Sequence, residues 1–336
     1  MTTTFAAAFR RRVLFALALC CAWVTGAASA AEPGVLRVNL FPTAKQLPFL
    51  LGNERGIFAK RGIRLELQYT ENSTTQRAAL ANGSVDIVHS AVDNAVAMVE
   101  QGGNDVVIVM GGDSGSNEFI VQPELNSFAD VRGKILVVDA ADTAFALQAK
   151  KILLQQGLRE GVDYRIRTIG RGAQRLQVMI DDKTNAAAIM NPPFSVLAVQ
   201  RGMKSLGRTV DLLGPYQSSG VFVMRAWALK NGPLLERYLA SYVESLRSVF
   251  DPANRADCLR LLMAQLKLSP EEATTTYDLL LDPKIGYVKD AKLDPEGFKA
   301  TLALRAEIEN KGAAVQPPEK YFDLSFYERA MATLAR

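Results

Sequence analysis

Gly83-Ser84-Val85-Asp86-Ile87-Val88-His89-Ser90-Ala91-Val92-Asp93-Asn94 is the stretch whose reading decides the fold. Val85-Asp86-Ile87-Val88 reads as a short strand buried on both faces. A helical segment, Thr74 to Asn82, runs into it and stops at Gly83. A second, Ala91 to Gln101, leaves it and stops at Gly102-Gly103. Working outward, Val35 to Leu40 alternates as a strand does. Pro48 to Arg61 repeats Phe49, Leu50, Ile57 and Phe58 on one helical face, with Gly62 ending it. Ile63 to Tyr69 and Val106 to Met110 read as further strands. Strands alternating with helices of this length predict a mostly parallel sheet flanked by helices.

The series occurs twice. Lys134 to Asp139 is a strand, and Thr143 to Gln156 a helix closed by Gly157-Leu158, as Gly62-Ile63 closed its counterpart. Tyr164 to Ile169 is a strand, and Gln174-Arg175 opens a helix as Gln76-Arg77 did. Ala186 to Met190 matches Asp86 to His89, and Val196 to Arg201 before Gly202 matches Ala95 to Gln101. Two copies make two lobes rather than a solenoid. Asn117 to Pro123 and Ser219 to Arg225 lie at the junctions and read as a paired crossover. The tail is helical over 234–250, 253–266, 270–281, 295–309 and 324–334, and is expected to pack on the first lobe. The boundaries drawn are a leader, 1–30; a first lobe, 34–120 with 225–336; and a second lobe, 121–224.

The leader reading rests on Arg10-Arg11-Arg12, the apolar run Val13 to Val24 and the small residues Ala28-Ser29-Ala30. That run is shorter than the roughly twenty residues a membrane span needs. The pattern predicts export to the periplasm, with the general secretory route favoured over twin-arginine export. The formal net charge is +4, and removing the three leader arginines leaves +1, no field for nucleic acid or anionic lipid. Beyond the leader only Cys258 remains, and His89 is the single histidine. Neither a metal cluster nor a Ser-His-Asp set is expected, and no cofactor.

In open α/β sheets the ligand sits beyond the carboxyl ends of the strands, against helix starts. That rule nominates Thr43, Lys45, Gln46, His89, Ser90, Ala91, Gly112, Asp142, Thr143, Arg171 and Asn191 as ligand-binding residues. Each has a plainer reading beside it. Thr43, Ser90 and Thr143 have the residue type of helix N-caps, Gly111-Gly112 suits a tight turn, and Pro192-Pro193 suits a helix start. Lys45 and Arg171 are equally solvated surface charges, and His89 is a wall residue rather than a base. Asp93 and Asp142, at helix starts, would repel an incoming anion. Phe49, Phe145, Phe194 and Tyr216 are aromatic candidates for either pocket or core. Gly170-Arg171-Gly172-Ala173 lacks the third glycine of a nucleotide fingerprint. No nucleophile with its base can be assembled, so an enzyme is not expected.

Leu47-Pro48-Phe49 with Gly56-Ile57-Phe58 and Gly62-Ile63, Leu80 to Ile87, Ser127 to Lys134 and Asn191-Pro192-Pro193 together resemble the nitrate/sulfonate/taurine group of ABC-transporter substrate-binding proteins. That group includes binders of thiamin pyrimidine precursors. The resemblance implies a two-lobed periplasmic-binding-protein fold of type II, α/β in each lobe, with a cleft that closes on a small molecule. It also implies docking on a membrane permease with its ATPase. A sulfonate or small organic acid is the expected solute. A ligand sensor without transport, or an enzyme related to pyrimidine-precursor synthesis, are the alternatives.

Overall fold

Two five-stranded sheets carry the chain, and the computed structural model describes residues 34–309 and 316–335 of it. The leader assigned to 1–30 lies outside the described residues. The first sheet has the order β2 (Ile63–Tyr69), β1 (Gly34–Leu40), β3 (Ile87–Ala91), β10 (Ser219–Met224) and β4 (Val106–Met110). The second has β7 (Arg165–Thr168), β6 (Ile135–Val138), β8 (Asn185–Met190), β5 (Glu118–Val121) and β9 (Lys204–Arg208). Position for position the orders are the same, as the doubled sequence pattern requires. In each, three parallel strands are followed by an antiparallel pair.

β5 and β10 are the two crossover strands. β5 and β10 do not bond to each other. β5 runs antiparallel between β8 and β9, and β10 between β3 and β4. Each half of the chain thus donates one strand to the other half's sheet. β9 escaped the sequence reading because Lys204-Ser205-Leu206-Gly207-Arg208 has neither alternation nor an apolar run.

Local chemistry explains two further differences. The helix expected over 48–61 is two, Leu47–Glu54 and Ile57–Lys60, broken where Gly56 takes a left-handed φ of 66°. β3 starts at Ile87 rather than Val85. The Asp86 carboxylate accepts the Arg37 backbone N–H at 2.9 Å and pairs with the Arg37 guanidinium at 2.6 Å, fixing that lead-in beside β1.

Both faces of both sheets are covered. Leu36, Val38 and Val223 of the first sheet share one buried cluster with Leu51 and with Leu235, Tyr238, Leu239 and Tyr242 of the long helix Gly232–Phe250. Val88, Ile108 and Phe222 share another with Val92, Val96, Phe298 and Leu302. Leu136, Phe119 and Ile189 point to one side of the second sheet, and Val137, Ile120 and Ala188 to the other. Each such buried Leu, Ile or Val contributes roughly 1.5–3 kcal/mol. The tail packs mainly on the first sheet, but helix Pro295–Ile308 also touches helix Ala144–Gln155, and helix Pro270–Leu280 touches helix Phe194–Gln200. No helix among the described residues is long and apolar enough to cross a membrane.

Candidate functional site

The carboxyl ends of the strands of both sheets meet at a cavity of about 120 Å³. That is room for several waters, and it suits a small organic molecule. From the first sheet, Leu40, Phe41, Thr43 and Lys45 follow β1, His89 and Ser90 end β3, and Gly111 to Asp113 follow β4. From the second, Asp139, Thr143 and Phe145 follow β6, Gly172 and Arg175 follow β7, and Asn191 follows β8. Ser73 and Asn94, with Ser218 to Gly220 leading into β10, close the wall, and Tyr242 and Tyr287 reach it from the tail.

Thr43, Lys45, His89, Ser90, Ala91, Gly112, Thr143 and Asn191 of the nominated residues line this cavity. Gln46, Asp142 and Arg171 do not. Gln46 is buried, accepting the Tyr69 hydroxyl at 2.6 Å. Asp142 pairs with Arg77 at 2.8 Å, and Arg171 pairs with Glu71 at 2.5 Å while donating to the Thr70 carbonyl at 3.2 Å. These two ion pairs join residues that follow second-sheet strands to the segment 70–77 that follows β2. They tie the two halves of the chain together.

The capping readings resolve individually. Thr43 accepts the Lys45 N–H at 3.3 Å and is a cap. Ser90 is not one; its hydroxyl accepts from Asn94 at 3.1 Å. Thr143 holds the cap position without capping, because its one hydroxyl proton is shared between Asp139 at 2.8 Å and the Ala140 carbonyl at 3.0 Å. Helix Ala144–Gln155 therefore starts with no side chain on its free N–H groups, and its first residues border the cavity. Gly111 and Gly112 adopt no positive φ. Their smallness serves close approach: a Cβ on Gly111 would lie 2.6 Å from the Lys292 carbonyl oxygen, and one on Gly112 2.5 Å from the Ser219 hydroxyl.

The carboxylates at the site are satisfied inside the protein. Lys45 donates to Asp113 at 2.8 Å, and Asp113 also accepts the Gly115 N–H at 3.0 Å and the Ser219 hydroxyl. Asp139 accepts the Ser73 hydroxyl at 2.6 Å and that of Thr143. Both carboxylates thus have their donors already. Asp93, suspected of repelling an anion, is fully buried away from the cavity and paired with Arg305 at 2.8 Å.

Arg175 is the residue the sequence reading missed. It is 4% exposed, donates to the Gly170 carbonyl, and lies 5.5 Å over the Phe145 ring, while its Nε has no partner. Burial pulls its pKa down and Asp139 opposes that pull. Its place one turn into a helix beginning at Gly172 was the available signal. Gly172 itself is required because a Cβ there would lie 2.3 Å from the Phe194 ring. Phe49 and Phe145 line the cavity, whereas Phe194 and Tyr216 do not.

His89 is a wall residue. Its Nε2 is 2.6 Å from the Tyr238 hydroxyl, and its ring meets Phe49 edge-on at 4.8 Å and Tyr242 at 4.7 Å. Burial pulls its pKa down from 6.5 to about 3, so the native ring is neutral while the unfolded one takes up a proton below 6.5. Native stability therefore falls as pH drops from 6.5 toward 3, by about 1.4 kcal/mol per pH unit at most. Denaturant unfolding from pH 7 to 4 should give a steeper loss for the wild type than for His89→Gln. Parallel curves would mean that the ring is not held neutral. Among the described residues no cluster of three or more His, Cys, Asp or Glu is arranged to hold a metal.

Known proteins share this architecture. A protein from Bordetella bronchiseptica RB50 superposes with a TM-score of 0.79 at 15% identity, over 91% of this chain and 99% of its own. The alkanesulfonate-binding protein SsuA from Xanthomonas axonopodis pv. citri, bound to MOPS, gives 0.69 at 17% identity, over 86% and 96%. The periplasmic nitrate-binding protein NrtA from Synechocystis PCC 6803 gives 0.73 at 14%, over 90% and 89%. At these identities the likeness is one of fold, that of the periplasmic binding proteins. No curated protein matches the sequence. The sequence profile of the NMT1-like family matches residues 29–263, most of the chain, and with that match the chain belongs to the NMT1-like family.

Proposed function

We propose that this chain is the solute-binding component of an ABC importer, exported to the periplasm, and performs no covalent chemistry. β1 to β4 with β10 and the tail form one lobe, and β5 to β9 the other. The lobes close on a small organic anion and present it to a membrane permease with its ATPase. One observation carries the reading: the elements lining the cavity hold donors with spare capacity on both halves, against one unpartnered acceptor, Asn94 Oδ1. Arg175 Nε is unpartnered, helix Ala144–Gln155 has an uncapped start, and Lys45 uses one of its three ammonium protons on Asp113. The neighbouring carboxylates already accept from Ser73, Thr143, Ser219 and Lys45. A site offering donors from both lobes suits a solute that brings acceptors, as carboxylates and sulfonates do.

A thermal-shift screen of alkanesulfonates, aromatic carboxylates, nitrate and pyrimidines tests this, followed by titration calorimetry. A bound anion at a hundred times its Kd adds about 2.7 kcal/mol of stability. Asn191→Ala should weaken binding while leaving the unliganded melting temperature nearly unchanged, because its side chain lines the cavity. A screen in which no anion stabilises the protein, or in which this substitution lowers stability and leaves affinity alone, overturns the assignment.

A further inference from the structure

Taking the cavity as the solute site proposed above, we infer that the solute is an aromatic acid with a second polar substituent, not an inorganic or aliphatic anion. Three rings form one side of the cavity. Phe49, His89 and Tyr242 are in mutual contact, with centroids 4.8, 4.7 and 5.1 Å apart and planes inclined by 51–78°. Such an arrangement exposes ring edges and faces to a fourth ring, and favours a planar π-system over a saturated chain of the same size. His89 strengthens the wall because it is uncharged.

Arg175, on the other half of the site, marks the acid end. It is held over the Phe145 ring with its Nε unpartnered. A planar carboxylate meets a guanidinium fork with two parallel hydrogen bonds, and an aromatic ring carrying that group continues the stack begun by Phe145. Inorganic nitrate would satisfy the fork and leave the ring wall and most of the cavity facing water.

Tyr287 indicates the second substituent. It is 6% exposed, lines the cavity, and its hydroxyl has no partner in the protein. It is held by the strand-like pairing of 286–288 with 112–114, where the Val288 N–H donates to the Gly112 carbonyl at 3.0 Å. A buried hydroxyl left unsatisfied costs about 1–3 kcal/mol, and a solute hydroxyl can both donate to it and accept from it. Tyr287 belongs to the first half of the site and Arg175 to the second. That division favours a substituent on the side of the ring away from the acid.

The test is titration calorimetry on full-length mature protein stripped of copurified solute by unfolding and refolding. The probes are benzoate, cyclohexanecarboxylate, 4-hydroxybenzoate, hexanesulfonate and nitrate. Benzoate should bind at least about tenfold more tightly than cyclohexanecarboxylate, which matches it in size and charge. 4-Hydroxybenzoate should bind about tenfold more tightly than benzoate, and Tyr287→Phe should erase that second gain only. Equal binding of benzoate and cyclohexanecarboxylate, or a preference for hexanesulfonate or nitrate, overturns the aromatic acid and leaves the solute-binding reading standing. No binding by any probe overturns both.

Discussion

Arg175→Gln lowers solute affinity by about a hundredfold or more and leaves the unliganded protein at least as stable as the wild type. Those two outcomes separate a binding group from a structural one. The guanidinium is buried, makes one hydrogen bond to the Gly170 carbonyl, and has an unpartnered Nε. Among the described residues it has no carboxylate in salt-bridge contact; Asp139 is near enough to oppose the downward pull on its pKa, yet takes its hydrogen bonds from Ser73 and Thr143. A buried cation so poorly compensated costs the folded state desolvation energy, and removing it relieves that cost. When an anion occupies the cavity the balance reverses. Truncating one partner of a buried, hydrogen-bonded charge pair costs about 2–5 kcal/mol of binding, which is roughly thirty- to several-thousandfold. Arg175→Lys keeps the charge but loses the planar fork, and recovers only part of the affinity. Calorimetric Kd values beside melting temperatures for the three proteins decide it. Unchanged affinity in Arg175→Gln would make the residue a structural cation and would displace the acid end of the site.

Which parts of this site could be seen in the sequence follows from what each residue's position depends on. Strand tips depend on local pattern, so Thr43, His89, Ser90, Thr143 and Asn191 were found by the rule that ligands sit beyond carboxyl ends. The doubled series likewise predicted two sheets of one topology, because alternation and helix stops are local signals. Asp142 and Arg171 are nominated by sequence as the first charged residues after their strands. Side-chain direction at a helix start depends on the phase of the helix. Asp142 turns out to Arg77 and Arg171 to Glu71, and Arg175, one turn on, borders the cavity. Tyr242 and Tyr287 had no such signal. They stand about 130 residues or more beyond the β3 and β4 tips, and only the packing of the tail on the first sheet brings them in. The crossover strands are legible from their apolar runs but their sheet neighbours are not, since apolar content marks a strand and says nothing of what lies beside it. Gly111 was noticed for its freedom of φ when its use is to let the chain at Lys292 approach.

The largest loss of stability is expected from Arg305→Met, and its pH dependence distinguishes the cause. Arg305 sits on helix Pro295–Ile308 with 3% of its side chain exposed, paired at 2.8 Å with Asp93, which is 1% exposed at the start of helix Val92–Glu100. It also pairs with Glu309 at 2.5 Å and donates to the Asp142 carbonyl at 3.2 Å, so one guanidinium joins the first sheet's helices to the loop after β6. The exposed Lys151–Glu307 pair beside it adds little. Burial already pushes the Asp93 carboxyl above its usual range, and Arg305 is the main group opposing that push, with Arg77 a lesser one. Methionine keeps the apolar length and removes the charge, leaving a buried carboxylate unpaired at a cost of about 3–5 kcal/mol. In the variant Asp93 holds its proton when folded and loses it when unfolded. The folded state then binds more protons, and stability falls as pH rises above the unfolded carboxyl pKa. Denaturant unfolding should therefore place Arg305→Met far below the wild type at pH 8 and closer to it at pH 5, with Asp93→Asn in the same chain recovering most of the loss. A deficit that is the same at both pH values and survives the second substitution would assign it to lost packing. In that case the contact with the loop after β6, rather than the ion pair, would be what Arg305 supplies.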